Sequence, residues 1–296
     1  LRGATDSEPC DALSSDAGFA RATFSYQGRR KGGAASAVVA ACLVAAAIFA
    51  TAHPAAAQSA SAVEACLAGQ QPFASGAELP RSLAALQAGA ALKIVAIGSS
   101  STLGLWQGDP AKTYPGMLQD ELRRLKPGVS LTVINSGRNA DTIPGNIARF
   151  ERDVLAHAPD LVIWQVGTND VTWLQSGDSL TQKIVDGVRM LRASGADVIL
   201  MDQQYAPVIL ASQYAKMQAS IADAARQARV PLFSRFDLMR RAVDGGLSIT
   251  ALTAWDGLHQ SAAGYECVGR ALARAIMAAT DGVARAPPKR PSKRAK

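Results

Sequence analysis

Near the carboxyl end of the chain, Asp256-Gly257-Leu258-His259 sets a carboxylate three residues ahead of an imidazole. At that spacing in a turn, the carboxylate can orient the ring and stabilise it while it takes up a proton, the acid–base half of nucleophilic catalysis. His157, before Ala158-Pro159 at a helix end, fits the helix dipole instead, whereas His259 has both a partner and a position. Gly98-Ser99-Ser100-Ser101-Thr102-Leu103-Gly104 offers a hydroxyl in a tight, small-residue turn, though such a run alone more often binds phosphate or simply turns. Two further stretches, Asn135-Ser136-Gly137-Arg138-Asn139 and Gly167-Thr168-Asn169-Asp170, hold groups able to steady an oxyanion. Gly137 can bring a backbone N–H close because it lacks a side chain, and Asn169 can aim an amide donor. Each alone reads as an ordinary turn. Arg138 fits either an anionic substrate group or a surface salt bridge, the commoner fate.

These residues need a scaffold that gathers them. From Ala91 the chain alternates short Val- and Ile-rich runs with longer amphipathic stretches, the rhythm of a parallel sheet with crossover helices. Strands are predicted at Leu92–Ile97, Leu131–Asn135, Leu161–Val166, Val198–Met201 and Pro231–Phe233. Helices are predicted at Tyr114–Leu125, Pro144–His157, Leu180–Ser194, Ala211–Ala228, Phe236–Val243 and Ser261–Ala279. The serine run and the two glycine-containing stretches directly follow the first three strands. That is the edge of an open parallel sheet where ligands bind.

With the motifs in that order, the chain resembles the SGNH, or GDSL-type, hydrolases, whose four blocks stand here as GSSSTLG, NSGRNADT, GTND and DGLH. The resemblance spans about Leu92 to Thr280 and implies a three-layer α/β/α flavodoxin-like sandwich around a five-stranded parallel sheet. It implies Ser100 as nucleophile with Asp256 and His259 completing a triad, and the Ser100 N–H, Gly137 N–H and Asn169 amide as the oxyanion hole. It implies a serine esterase working through an acyl-enzyme with no cofactor and no metal. Where the family has Gly-Asp-Ser, this chain has Gly98-Ser99-Ser100, so the nucleophile is selected from three adjacent serines by its place in an altered block.

Trp106, Gln107, Tyr114, Trp173, Gln203, Gln204, Tyr205 and Trp255 fall on loops of the active edge. Aromatics with amides suit a sugar ring, and lid packing is the competing reading for each; Trp106, Trp173, Tyr205 and Trp255 are the expected substrate-binding set. Trp164, within the third strand, reads as core. The expected substrate is a short acyl, chiefly acetyl, ester of carbohydrate, small-molecule or polysaccharide. Longer acyl esters or lysophospholipids, O-acetyl transfer to a sugar, and a non-catalytic glycan-binding module on the same fold are the alternatives.

Composition bounds the rest. The chain has 296 residues, 48% hydrophobic and 19% charged, enough for one substantial core. Its formal charge of +7 sits mostly at the ends: residues 58 to 280 carry 20 basic against 19 acidic groups. No basic surface with interleaved aromatics emerges, so nucleic acid is not an expected partner. Arg29-Arg30-Lys31, the uncharged run Ala34–Ala52 and Ala55-Ala56-Ala57 have the order of a secretory leader. A membrane anchor and lipoprotein processing at Cys42 compete with it. The expected divisions are residues 1–57 as upstream extension and leader, 58–90 as an irregular lead-in with a short helix near Ser82–Ala88, 91–280 as the hydrolase domain, and 281–296 as a basic disordered tail. The expected location is periplasmic or secreted, with membrane contact only through the leader. In an oxidising compartment Cys66 and Cys267 are either one bridge or two buried thiols.

Overall fold

The computed structural model describes residues 54–71, 73, 78–173 and 177–285. Residues 1–53 of the expected leader and 286–296 of the expected tail lie outside them, while residues 281–285, expected as disordered tail, continue the last helix. The described chain begins with helix α1 (Pro54–Ala68) and α2 (Pro80–Ala88). Strand β1 (Leu92–Gly98) leads into the short helix α3 (Ser100–Leu103), followed by α4 (Tyr114–Leu125) and β2 (Leu131–Gly137). Helix α5 (Ile143–Ala148), β3 (Leu161–Gln165) and α6 (Thr168–Thr172) come next. Helix α7 (Gly177–Ala193), β4 (Asp197–Met201), α8 (Tyr214–Ala228), β5 (Leu232–Phe233), α9 (Arg235–Asp244) and α10 (Ala262–Arg285) complete the chain.

The five strands form one parallel sheet in the order β2-β1-β3-β4-β5. Because side chains alternate along a strand, β1 feeds two cores. Leu92, Ile94 and Ala96 join the layer of α4, α9 and α10, and Val95 and Ile97 join that of α7 and α8. This is the expected α/β/α sandwich. β2 and β3 lie on opposite sides of β1, which makes the carboxyl ends of β1 and β3 the switch point, where an open parallel sheet offers its ligand crevice. Trp164 is fully buried, edge-on to Phe150 at 4.9 Å, with its indole N–H donated to Asn146.

Two stretches depart from the expectation. The lead-in read as irregular holds α1 as well as α2, because Ala62, Val63, Cys66 and Leu67 recur on one helical face and are buried. Cys66 of α1 is disulfide-bonded to Cys267 of α10, with Cα atoms 6.1 Å apart, which staples the entry helix to the last one. The helix expected over Pro144–His157 is broken: α5 ends at Ala148, its C-cap Arg149 leaves the helical region (φ −118°, ψ 8°), and two short helical turns follow. That break lets the Arg149 side chain reach the strand ends. Among the described residues no helix is long and apolar enough to cross a membrane.

Candidate active site

The DGLH turn is built by its own carboxylate. Asp256 Oδ1 accepts the N–H groups of Leu258 (3.0 Å) and His259 (2.9 Å), and Oδ2 accepts the His259 ring Nδ1–H (2.6 Å). Gly257 sits at φ +66°, a conformation side-chain-bearing residues seldom adopt, and an isolated bridge between Thr253 and Gln260 closes the turn. A fourth donor comes from outside, the Trp106 indole N–H at 2.8 Å. Burial pushes the Asp256 carboxyl up, but the donors from His259, Leu258 and Trp106 outweigh it and hold it well below the usual carboxylate range. An ionised carboxylate only accepts, so the ring proton rests on Nδ1 and the Nε2 lone pair faces outward.

That lone pair meets Ser100. Ser100 Oγ lies 2.8 Å from His259 Nε2, and both residues are buried. The other serines of the run are otherwise engaged. Ser99 donates through N–H (2.8 Å) and Oγ–H (2.9 Å) to Gln165 Oε1, and Ser101 Oγ lies 3.4 Å from Ser99 Oγ. A hydroxyl thus stands where the Gly-Asp-Ser pattern would put an acid, and it donates to an amide oxygen that a carboxylate would repel. Ser100 opens α3, so its N–H has no intrahelical partner.

Asn169 stands in the first turn of α6 and gives one amide hydrogen to the Asp141 carbonyl (2.8 Å), which fixes the amide's orientation and leaves the second hydrogen. Gly137 ends β2 beside Gly98. A Cβ there would collide with the Leu103 backbone, a steric requirement the sequence reading did not identify. Its N–H, expected to face the reacting atom, donates to Asn135 Oδ1 at 2.9 Å.

Beneath these groups lie two buried guanidiniums. Arg149 donates to the carbonyls of Gly98 (3.0 Å) and Ser136 (2.7 Å) and to the carboxylates of Asp141 (2.6 Å) and Asp153 (3.0 Å). It thus ties together the residues that precede Ser100 and Gly137 and the one that orients Asn169. Arg235 donates to Gln204 Oε1 (2.8 Å), Thr168 Oγ1 (3.2 Å) and the Asp202 carbonyl (2.7 Å), and burial pulls it down to about 10. Gln204 in turn donates to the Leu258 carbonyl, while Gln165 donates to Thr168 Oγ1 and Thr168 to Gln204. An amide–hydroxyl chain therefore joins the DGLH turn to the serine loop. Sequence reasoning missed Arg149, Arg235 and Gln165. Gln165 left a trace, a polar residue ending the apolar run Leu161–Trp164.

The expected aromatic set divides. Trp106 (55% exposed) and Trp255 (82% exposed) form a tilted pair with ring centroids 5.4 Å apart, and Trp106 stands edge-on to His259 at 6.5 Å. Trp173 is also 55% exposed, at the end of α6, the helix of Asn169. Tyr205 does not join them: its half-buried ring packs edge-on against Phe236 at 5.1 Å and contacts both cores. Tyr114, Gln203 and Gln204 are buried, and burial raises the Tyr114 hydroxyl to about 12. Among the described residues no three His, Cys, Asp or Glu side chains are grouped to hold a metal.

A family model described as the non-GDSL lipase-like family matches residues 65–282. An arylesterase of Vibrio mimicus is 30% identical over 115 residues, 39% of this chain and 56% of that protein. An acetylxylan esterase of Geobacillus stearothermophilus is 25% identical over 175 residues, 52% of this chain and 76% of that one. The structure of a two-domain esterase active on acetylated mannans, co-crystallised with mannopentaose, superposes with a TM-score of 0.63 at 23% identity, covering 78% of this chain and 60% of that one. The chain thus spans less than two thirds of the length of the arylesterase and of the two-domain esterase. With the family model covering the whole sheet and both ends of the site, the chain belongs to the non-GDSL lipase-like family and has the SGNH/GDSL-type hydrolase fold.

Proposed function

We propose that the chain is an exported serine carboxylic-ester hydrolase that removes short acyl groups, chiefly acetyl, from carbohydrate. The observation that carries this reading is the unbroken chain from Ser100 Oγ through His259 Nε2 and Nδ1 to Asp256 Oδ2, at 2.8 Å and 2.6 Å. His259 Nε2 takes the Ser100 hydroxyl proton as Oγ bonds to the ester carbonyl carbon and the carbonyl π pair moves onto oxygen. The oxyanion is met by the Ser100 N–H and the second Asn169 amide hydrogen, with the Gly137 N–H shared between it and Asn135 as a three-centre bond. Collapse expels the alcohol oxygen, which takes the proton from His259, and leaves acyl-Ser100. Water then repeats the sequence, with His259 again as base, and releases the acid.

The exposed tryptophans beside His259 and Asn169 favour a sugar substrate, as they offer flat apolar rings with polar groups nearby. Similarity to an acetylxylan esterase points the same way. The Cys66–Cys267 bond suits an oxidising compartment and so supports a periplasmic or secreted location. The proposed partner is the polysaccharide or small ester itself; with a sugar hydroxyl in place of water, the same acyl-Ser100 would transfer acetyl.

An organophosphonate probe tests the core of the proposal. Adduct formation mapped to Ser100, and a loss of roughly 10⁴-fold or more in kcat for Ser100→Ala on p-nitrophenyl acetate, are expected. An active Ser100→Ala enzyme would end it. A panel from acetate to palmitate alongside acetylated xylan and mannan then separates short-acyl carbohydrate esters from long-chain esters.

A further inference from the structure

Trp106 does two things at once. Its indole N–H is one of four donors on Asp256, and its ring, more than half exposed, pairs with Trp255 on the solvent side of His259. Its backbone sits at φ +74°, a left-handed conformation that is unfavourable for a large side chain. The Gln107 N–H donated to the Gly104 carbonyl (3.0 Å) closes a turn with Trp106 in its third position, which accounts for that conformation, and from that turn the side chain reaches back to Asp256.

We infer that Trp106 is both a positioning residue for the Asp256–His259 pair and a specificity-determining platform for a pyranose ring, so that sugar bound at the mouth presses on the side chain that fixes the acid–base pair. This deepens the hydrolase reading and rests on it. The N–H and the ring face are separate parts of one side chain, so they can be removed separately. Asp256 retains three of its donors when the indole is lost. The partial loss should therefore be graded rather than total.

Trp106→Phe keeps a ring without the donor, and Trp106→Ala removes both. Kinetics on p-nitrophenyl acetate and on an acetylated xylo-oligosaccharide separate the effects. Trp106→Phe should lower kcat about tenfold on both substrates, the scale of one hydrogen bond to a charged group, with KM on the oligosaccharide near wild type. Trp106→Ala should show the same kcat loss and raise KM about fivefold or more on the oligosaccharide alone. Wild-type kcat in Trp106→Phe on the aryl ester would overturn the positioning role. Equal oligosaccharide KM in the two variants would overturn the platform. Phosphonate labelling of Ser100 in each variant reports separately on the underlying reading: a wild-type enzyme that does not label refutes the hydrolase mechanism, whereas labelled variants with unaltered kinetics refute only the role of Trp106. Thermal melting of both variants checks that the exposed position has not disturbed the fold.

Discussion

Asn169, Gly98 and Ser136 are all held, directly or through Asp141, by Arg149, whose side chain is 5% exposed. Asp256, across the crevice, takes one of its four donors from Trp106, which is 55% exposed. The oxyanion side of the proposed site is thus fixed from within by a buried, forked cation, and the acid–base side is finished from the surface by an aromatic. The difference follows from the work each side has to do. Charge develops on the carbonyl oxygen, and fixed donors stabilise it best when they need not reorganise. On the proposed mechanism the leaving alcohol departs past His259, so that wall has to stay open to a substrate of some size. On that reading rigidity is placed where the anion would form, and recognition where the proposed sugar would enter.

If the oxyanion side works as a preorganised unit, removing its side-chain donor should be the most damaging change among those that leave the triad intact. Asn169→Ala is expected to lower kcat about 100- to 1000-fold with KM little altered. Steady-state rates on p-nitrophenyl acetate measure this, and a loss below about threefold would remove Asn169 from the oxyanion hole. Arg149→Lys comes next. An ammonium keeps the charge but cannot span the two carbonyls and the Asp141 carboxylate that the guanidinium fork joins. The expected outcome is a drop of roughly tenfold in kcat together with a loss of about 2–3 kcal/mol in urea unfolding. Reduced stability with unchanged kcat would show that Arg149 supports the fold without positioning the donors.

Each side also carries one carboxyl that burial raises, which gives a comparison in pH. Burial raises Asp170, which accepts the Ile143 N–H at the start of α5, to about 6. Burial raises Asp202, which accepts from Ser234 and Phe236 next to Arg235, to about 7. Both folded values lie above that of an unfolded aspartate, near 3.9. The folded protein therefore holds protons that the unfolded chain releases, and the associated stability is complete below about pH 4 and lost as pH rises through about 6 and then about 7. Unfolding free energy should decline between about pH 4 and 7. Asp202→Asn should abolish the decline above about pH 6, where that group alone titrates, and Asp170→Asn should roughly halve the slope below it, effects on the order of 2–4 kcal/mol. A profile that keeps its slope in both variants would place the titrating groups elsewhere.

The sequence exposed much of this plan and hid the rest for a physical reason. Strand positions were readable because β1, β3 and β4 are buried on both faces, so their interiors are continuous apolar runs. The DGLH turn was readable because its hydrogen bonds span only three residues. Arg149 and Arg235 were not, since the contacts that tie them to the serine loop and the DGLH turn, Gly98 and Gln204, lie 51 and 31 positions away, and an arginine bound inside a fold looks in sequence like one on a surface. The same limit applies to Trp106, whose acceptor is 150 residues distant. Tyr205 erred the other way: its loop lies at the active edge, but its ring turns toward Phe236. Position along a loop predicts nearness to the site and does not predict which way a side chain faces.

The smallest effect tests whether the two sides are independent. Arg149 and Trp106 share no hydrogen-bond partner: the first acts on Gly98, Ser136, Asp141 and Asp153, the second on Asp256. Combining Arg149→Lys with Trp106→Phe should therefore multiply the separate kcat losses on p-nitrophenyl acetate, with a coupling term within about 0.5 kcal/mol of zero. The opposing possibility has structural grounds, because Ser100 belongs to both sides: Gly98 precedes it, and His259 bonds its hydroxyl. If the serine loop shifts as one body when either support is lost, the double variant will be barely worse than the poorer single one. Near-multiplicative losses would mean that the stiff wall and the open wall were built separately around a common serine, and saturation would mean that Ser100 transmits strain from one wall to the other.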